Sequence, residues 1–185
     1  MVLEFFEINQ KPTQQVIIPA PTYWHPPQEG MYKANFDAAP FDGLGMVGLG
    51  VVVRDCMGHI IAALSQKIRS PHSVEMAEAL ACNRTLVFAQ ELSLSQVVFQ
   101  GDSLRIMQAV NSLGACLTLC GHVIEEIKHL RRGLLFSCFQ HVKRGGNKLA
   151  HSLARRAVSS ADTDVWLEEL PCDLEDVFQF DFDHQ

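Results

Sequence analysis

Three acids and one histidine stand where chemistry can be done. Asp37 closes the alternating stretch YKANFD, on the polar parity of a strand whose apolar positions are Tyr32, Ala34 and Phe36. Asp102 ends the apolar run SQVVFQGD just before a helical stretch, and strand ends of that kind are where ligands bind in open α/β sheets. Glu78 lies in the small-residue run MAEALAC. Its neighbouring alanines let a helix lie close on a sheet, and a carboxylate buried there needs a partner. His151 borders the apolar stripe Ala150, Leu153, Ala154, Ala157 and Val158 of a basic amphipathic helix. By spacing alone the three acids read equally well as unrelated surface groups, and a lone histidine beside an apolar face is more often structural.

The elements that must position these residues follow from pattern. After YKANFD, the glycine-rich run MVGLGVVVRD reads as a second strand, DCMGHI as a turn using Gly58, and HIIAALSQKI as a third strand. A helix over about 73–92, introduced by Ser70 and Pro71, precedes the Asp102 strand. SLRIMQAVNSL and about 122–131 read as helices, LLFSCFQHV as the last strand, and the His151 helix follows. A meander followed by alternating helix and strand implies a mixed sheet covered by helices. Residues 1–30 read as a leader, with four of the eight prolines in PAPTYWHPP favouring an extended linker; 31–160 form the domain. Residues 161–185 read as an acidic tail in which Val165, Trp166 and Leu167 form a short packed segment.

The chain has 185 residues, 48% apolar and 19% charged, which suits one globular domain with flanks. No apolar run is long enough to span a bilayer, and the N-terminus lacks the pattern of a secretory signal. Six dispersed cysteines fit reduced thiols in an intracellular protein, whether nuclear or cytoplasmic; Cys116, Cys120 and His122 lack the usual spacing of a zinc site. The net charge of −6 conceals segregation: residues 128–156 hold eight Lys/Arg and no acid, whereas 161–185 hold nine acids and no Lys/Arg. The basic block is a candidate phosphate-binding face or a solvated helix surface.

In this order, YKANFDAAP, GLGVVVRDCMGHII, AEALA, QGDSLRIMQAV and HVKRGGNKLAHSLARRA resemble the ribonuclease H type 1 domain. More narrowly, they resemble the plant form related to non-LTR retrotransposon domains, termed reverse transcriptase-like. YWHPPQEGMYKANFD matches that subfamily's W-x-P-P-x-x-G-x-x-K-x-N-x-D approach, and TDVWLEELPCDLEDVFQFD is similar to its C-terminal end, so the resemblance spans about residues 23–175. It implies an α/β ribonuclease H-like fold: a five-stranded mixed sheet, order 3-2-1-4-5, with helices on both faces. It also implies an endonuclease cutting the RNA strand of RNA–DNA hybrids with Mg²⁺ or Mn²⁺, two ions, held by a D-E-D-D set.

Carried over by motif, that set falls on Asp37, Glu78 and Asp102, as catalytic residues and metal ligands, with Glu75 an alternative to Glu78. In the last motif, Asn147-Lys148-Leu149-Ala150-His151-Ser152-Leu153-Ala154, His151 takes the slot of the fourth carboxylate. Imidazole binds Mg²⁺ poorly and Mn²⁺ better, so the expectation is a weakened hydrolase favouring Mn²⁺, with an idle nucleic-acid-binding module as the alternative. Lys143, Arg144, Asn147 and Lys148 are the candidate backbone contacts, and the flap before this helix is shortened to VKRGGN.

Overall fold

The computed structural model describes residues 21–183. β1 (Tyr32–Phe41), β2 (Met46–Arg54) and β3 (Ile60–Arg69) form an antiparallel meander. β4 (Gln96–Gly101) pairs in parallel with the free side of β1, and β5 (Phe136–His141) pairs in parallel with β4. Each parallel addition follows a helical crossover, as parallel neighbours require: α1 (Val74–Glu91) before β4, then α2 (Leu104–Asn111) and α3 (Gly121–Leu130) before β5. After β5 come α4 (Lys148–Arg156), β6 (Thr163–Leu167) and α5 (Glu175–Asp183).

The sheet order is β5-β4-β1-β2-β3-β6. This is the expected five-strand order with one strand more. β6, drawn from the acidic C-terminal stretch, pairs antiparallel with β3 from Ala62↔Leu167 to Gln66↔Thr163 and covers what would otherwise be an open sheet edge.

The pleat sorts the strands' side chains onto two faces. Ala34, Phe36, Val51, Val53, Leu64 and Phe99 face α1, α2 and α3 in the main core, with Leu86, Ile106, Ile124 and Ile127. Val52 and Ala63 face the other way, onto Leu149, Ala150 and Leu153 of α4 and Leu174 just before α5. The glycines of β2 set how near α4 can come. A Cβ at Gly50 would lie 2.2 Å from the Ala150 carbonyl oxygen, and one at Gly48 would lie 1.9 Å from that of Ala154. Only bare backbone on the strand, facing alanines four residues apart on the helix, permits this approach.

Two local expectations change. The cap of α1 is Ser73, whose hydroxyl accepts from the Met76 N–H at 3.1 Å, rather than the Ser70-Pro71 pair. β1 also runs past Asp37 to Phe41, so Asp37 is not the strand's end; its pairing with β4, however, stops at Phe36↔Gly101.

The segment ahead of β1 is packed into the molecule. Trp24 is 1% exposed, and its indole N–H donates to Asn35 Oδ1 at 3.0 Å. Lys33 Nζ donates to the His25 carbonyl at 2.5 Å, and Met31 N–H turns back to Gln28 around Gly30, which has φ +80°. The W, G, K and N of the approach pattern are thus parts of one clasp. It lies over the part of the sheet face that α4 leaves open. Gly145 and Gly146 of the short flap accept it closely: a Cβ on Gly145 would meet the Thr22 carbonyl oxygen at 2.4 Å.

Candidate active site

Asp37 and Asp102 are each the first residue beyond the β1–β4 ladder, so two neighbouring parallel strands place their carboxyls side by side at one edge. α1 crosses that edge with Glu78 pointing to it, its close approach permitted by buried Ala77, Ala79 and Ala81. One ligand oxygen from each of Asp37, Glu78 and Asp102 lies within 4.8 Å of the others, the one such potential metal-holding group among the described residues. Asp37 and Glu78 are buried at 3% and 8% exposure. Glu75 does not join them; it faces Arg105 across 3.8 Å at the surface.

Like charges brought together out of water are costly, and the site shows it. Burial, then the charges of Asp37 and Asp102, push the Glu78 carboxyl up to about 9. Burial, and then Asp37, also raise Asp102 above the usual carboxylate range, against the opposing charge of Arg144. Glu78 Oε2 is buried without a hydrogen-bond partner. Carboxylate oxygens arranged this way, one of them unsatisfied, fit a hard divalent cation that prefers oxygen donors.

α4 brings the fourth member. Asn147, just before the helix, donates from Nδ2 to the Phe36 carbonyl at 2.8 Å and receives Asn35 Nδ2 at 3.3 Å. That anchorage sets the first turn of α4 beside β1, and His151 Nδ1 comes 2.5 Å from Asp37 Oδ2. The four motif-derived residues therefore converge.

The proposed backbone contacts divide. Lys143, Arg144 and Lys148 are exposed, Arg144 close enough for its charge to act on Glu78 and Asp102. Lys148 Nζ lies 3.7 Å above the Phe180 ring centre. Asn147 is 1% exposed and occupied in joining α4 to β1, so it is no surface contact. The basic block is not one face either, because α3 and α4 lie on opposite sides of the sheet. Lys128 pairs with Glu125 at 3.0 Å, Arg131 stacks on Phe139, and Arg156 pairs with Asp173.

Sequence reading passed over two features. His141, opposite Gly101 in the β4–β5 register, has Nε2 3.1 Å from the Asp102 carbonyl oxygen and steadies that strand end. A row of amides also crosses the sheet one pleat below the acids: Asn35 Nδ2 donates to Gln100 Oε1 at 3.3 Å, and Gln100 Nε2 to Gln140 Oε1 at 3.1 Å. Both acids have an amide two positions before them, a period-2 signal present in KANFD and FQGD.

Residues 35–157 match the family described as reverse transcriptase-like. No curated protein matches the chain. Among solved structures, RNase H1 from the halophilic archaeon Halobacterium salinarum NRC-1 superposes with a TM-score of 0.65 at 23% identity, covering 71% of this chain and 100% of that one. The N-terminal RNase H domain of a Mycobacterium tuberculosis protein gives 0.61 at 19% identity, covering 69% and 92%. LC11-RNase H1, solved in complex with an RNA/DNA hybrid, gives 0.60 at 22% identity, covering 69% and 95%. The shared architecture is the ribonuclease H-like fold.

Proposed function

The chain belongs to the reverse transcriptase-like family, and from that premise we propose that it is a divalent-metal-dependent endoribonuclease acting on the RNA strand of RNA–DNA hybrids. One observation carries this reading: the oxygens of Asp37, Glu78 and Asp102 lie within 4.8 Å of one another, with Glu78 Oε2 buried and unpartnered. Bound Mg²⁺ or Mn²⁺, as a pair of ions, would supply an activated water and charge stabilisation at the leaving oxygen of a phosphodiester.

The chain's own residues do the rest. Asp37, Glu78 and Asp102 act as ligands, ionised once a cation offsets their mutual repulsion. Arg144 and Lys143 draw the phosphate backbone toward the cluster without reading bases. RNA is distinguished by its 2′-hydroxyls and the shape of the hybrid. His151 removes one negative charge from the ligand set and holds Asp37 by its Nδ1, which tilts metal preference toward Mn²⁺. The same contact favours a second reading, a nucleic-acid-binding module in which the imidazole occupies an oxygen the metal needs.

Cleavage of a labelled RNA–DNA hybrid with Mg²⁺ or Mn²⁺ separates the two. Mn²⁺-dependent product is expected from the wild type, with Mg²⁺ activity rising about tenfold in His151→Asp, a difference of about 1.4 kcal/mol in barrier. Tight hybrid binding with no product under either metal would establish the module instead.

A further inference from the structure

α5 lies outside the family match, which ends at residue 157, yet it forms one wall of a cavity at the acid cluster. The cavity, about 330 Å³, is lined by Arg144, Gly145, Lys148, His151 and Ser152 from the flap and α4, and by Val177 from α5. It adjoins the cluster through His151, whose imidazole contacts Asp37. The wall is firmly seated. Asp181 of α5 is ion-paired with Arg54 at 3.1 Å, both side chains almost fully buried, and Val177 and Phe178 pack on the Leu149–Leu153 cluster.

The lining is mostly apolar surface edged by two cationic side chains, a combination that suits a sugar–phosphate unit. Among the described residues, Arg144 and Lys148 make no ion pair with a carboxylate, Lys148 Nζ lies over the Phe180 ring of α5, and Ser152 lines the cavity beside them. Val177 offers an apolar surface of the kind a sugar ring packs against. Resting on the functional reading above, we propose that this cavity holds the backbone phosphate next to the one at the acid cluster. The phosphate would lie between Arg144 and Lys148, with its sugar against Val177. The C-terminal helix would then extend the nucleic-acid site beyond the family domain.

The test is hybrid binding by the full chain in EDTA at low salt, read by fluorescence anisotropy, where no cleavage interferes. Val177→Asp is expected to weaken binding at least fivefold and Val177→Lys to tighten it two- to fivefold. Opposite signs at one position cannot come from lost packing. Gln179→Lys, exposed elsewhere on α5, adds the same charge away from the cavity and should change binding less than twofold. Lys148→Ala should lower the slope of log affinity against log salt by about one. The proposal is overturned if both Val177 variants shift affinity the same way, or if Gln179→Lys matches Val177→Lys. A wild type that binds no hybrid at all would overturn the functional reading itself.

Discussion

Two charged clusters are buried along β1, and they are built in opposite ways. At the start of β1, where Lys33 pairs with Arg54 in the ladder, the Arg54 guanidinium stacks 3.8 Å from the Trp24 ring centre and is ion-paired with Asp181. Four residues further along β1, roughly 13 Å away, Asp37 meets Glu78 and Asp102. The first cluster finds its counter-charge within the chain and ties both ends of the fold to the sheet. The second gathers three acids with a half-exposed histidine beside one of them. A fold gains nothing from concentrating like charges, and the second arrangement is the one whose oxygens suit a cation from outside.

The sharpest way to break this comparison is to remove one acid from each cluster. Asp37→Asn is expected to lower metal-dependent hybrid cleavage by at least about 10³-fold, some 4 kcal/mol in barrier, with the protein still folded by circular dichroism. Full cleavage by that variant would dissolve the site assignment. Asp181→Ala leaves Arg54 buried without its counter-charge, and a loss of about 3–5 kcal/mol is expected in urea unfolding. Its folded fraction should still cleave. If instead Asp181→Ala abolished cleavage without a stability loss, the two clusters would have exchanged roles.

Most of this architecture was legible because it is written in short-range pattern. Period-2 alternation placed β1 and the face of Asp37; small residues around Glu78 announced a helix lying close to the sheet. Motif order then joined residues that lie far apart in sequence. What stayed hidden depends on pairing across long separations. Trp24 reads as part of a proline-rich linker until its indole is seen bonded to Asn35. The acidic C-terminal stretch reads as a tail with one short packed segment at Val165, Trp166 and Leu167, and nothing local says that this segment is a strand covering the edge of β3. Asn147 looks like a surface amide beside lysines, yet its partner is a backbone carbonyl 111 positions away. Charge counting failed similarly: the eight cations fall within residues 128–156 without an intervening acid, yet are divided in space.

The electrostatic contrast has a pH signature. Glu78 ionises at about 9 in the fold against 4.5 ordinarily, so between those values the folded state holds more protons than the unfolded one. Stability is therefore fully present below about 4.5 and is lost as pH rises toward 9; Asp102, also raised, acts with the same sign. Lys33 is held down to about 8, by burial and then Arg54. Its unfavourable charge is present below about 8 and relieved above, so it opposes the trend only in the alkaline range. Metal-free protein is expected to lose on the order of 4 kcal/mol between pH 5 and pH 8. Glu78→Gln should flatten that slope in EDTA, as should Mn²⁺ added to the wild type. A slope that persists in Glu78→Gln would move its origin away from the acid cluster.

The smallest effect tests whether the clusters are independent. Trp24 donates to Asn35, Asn35 reaches Asn147, and Asn147 holds α4 to the Phe36 carbonyl; His151 lies one turn further along that helix. The clasp therefore ends on the element that carries the histidine. Trp24→Phe keeps an aromatic ring for Arg54 but leaves Asn35 Oδ1 buried without its donor, for a loss of about 1 kcal/mol in unfolding free energy. Because Asn147 still has Phe36, cleavage should fall by less than about threefold. A larger fall, with the melting point barely moved, would mean that the N-terminal clasp sets the position of His151 rather than merely closing the sheet face.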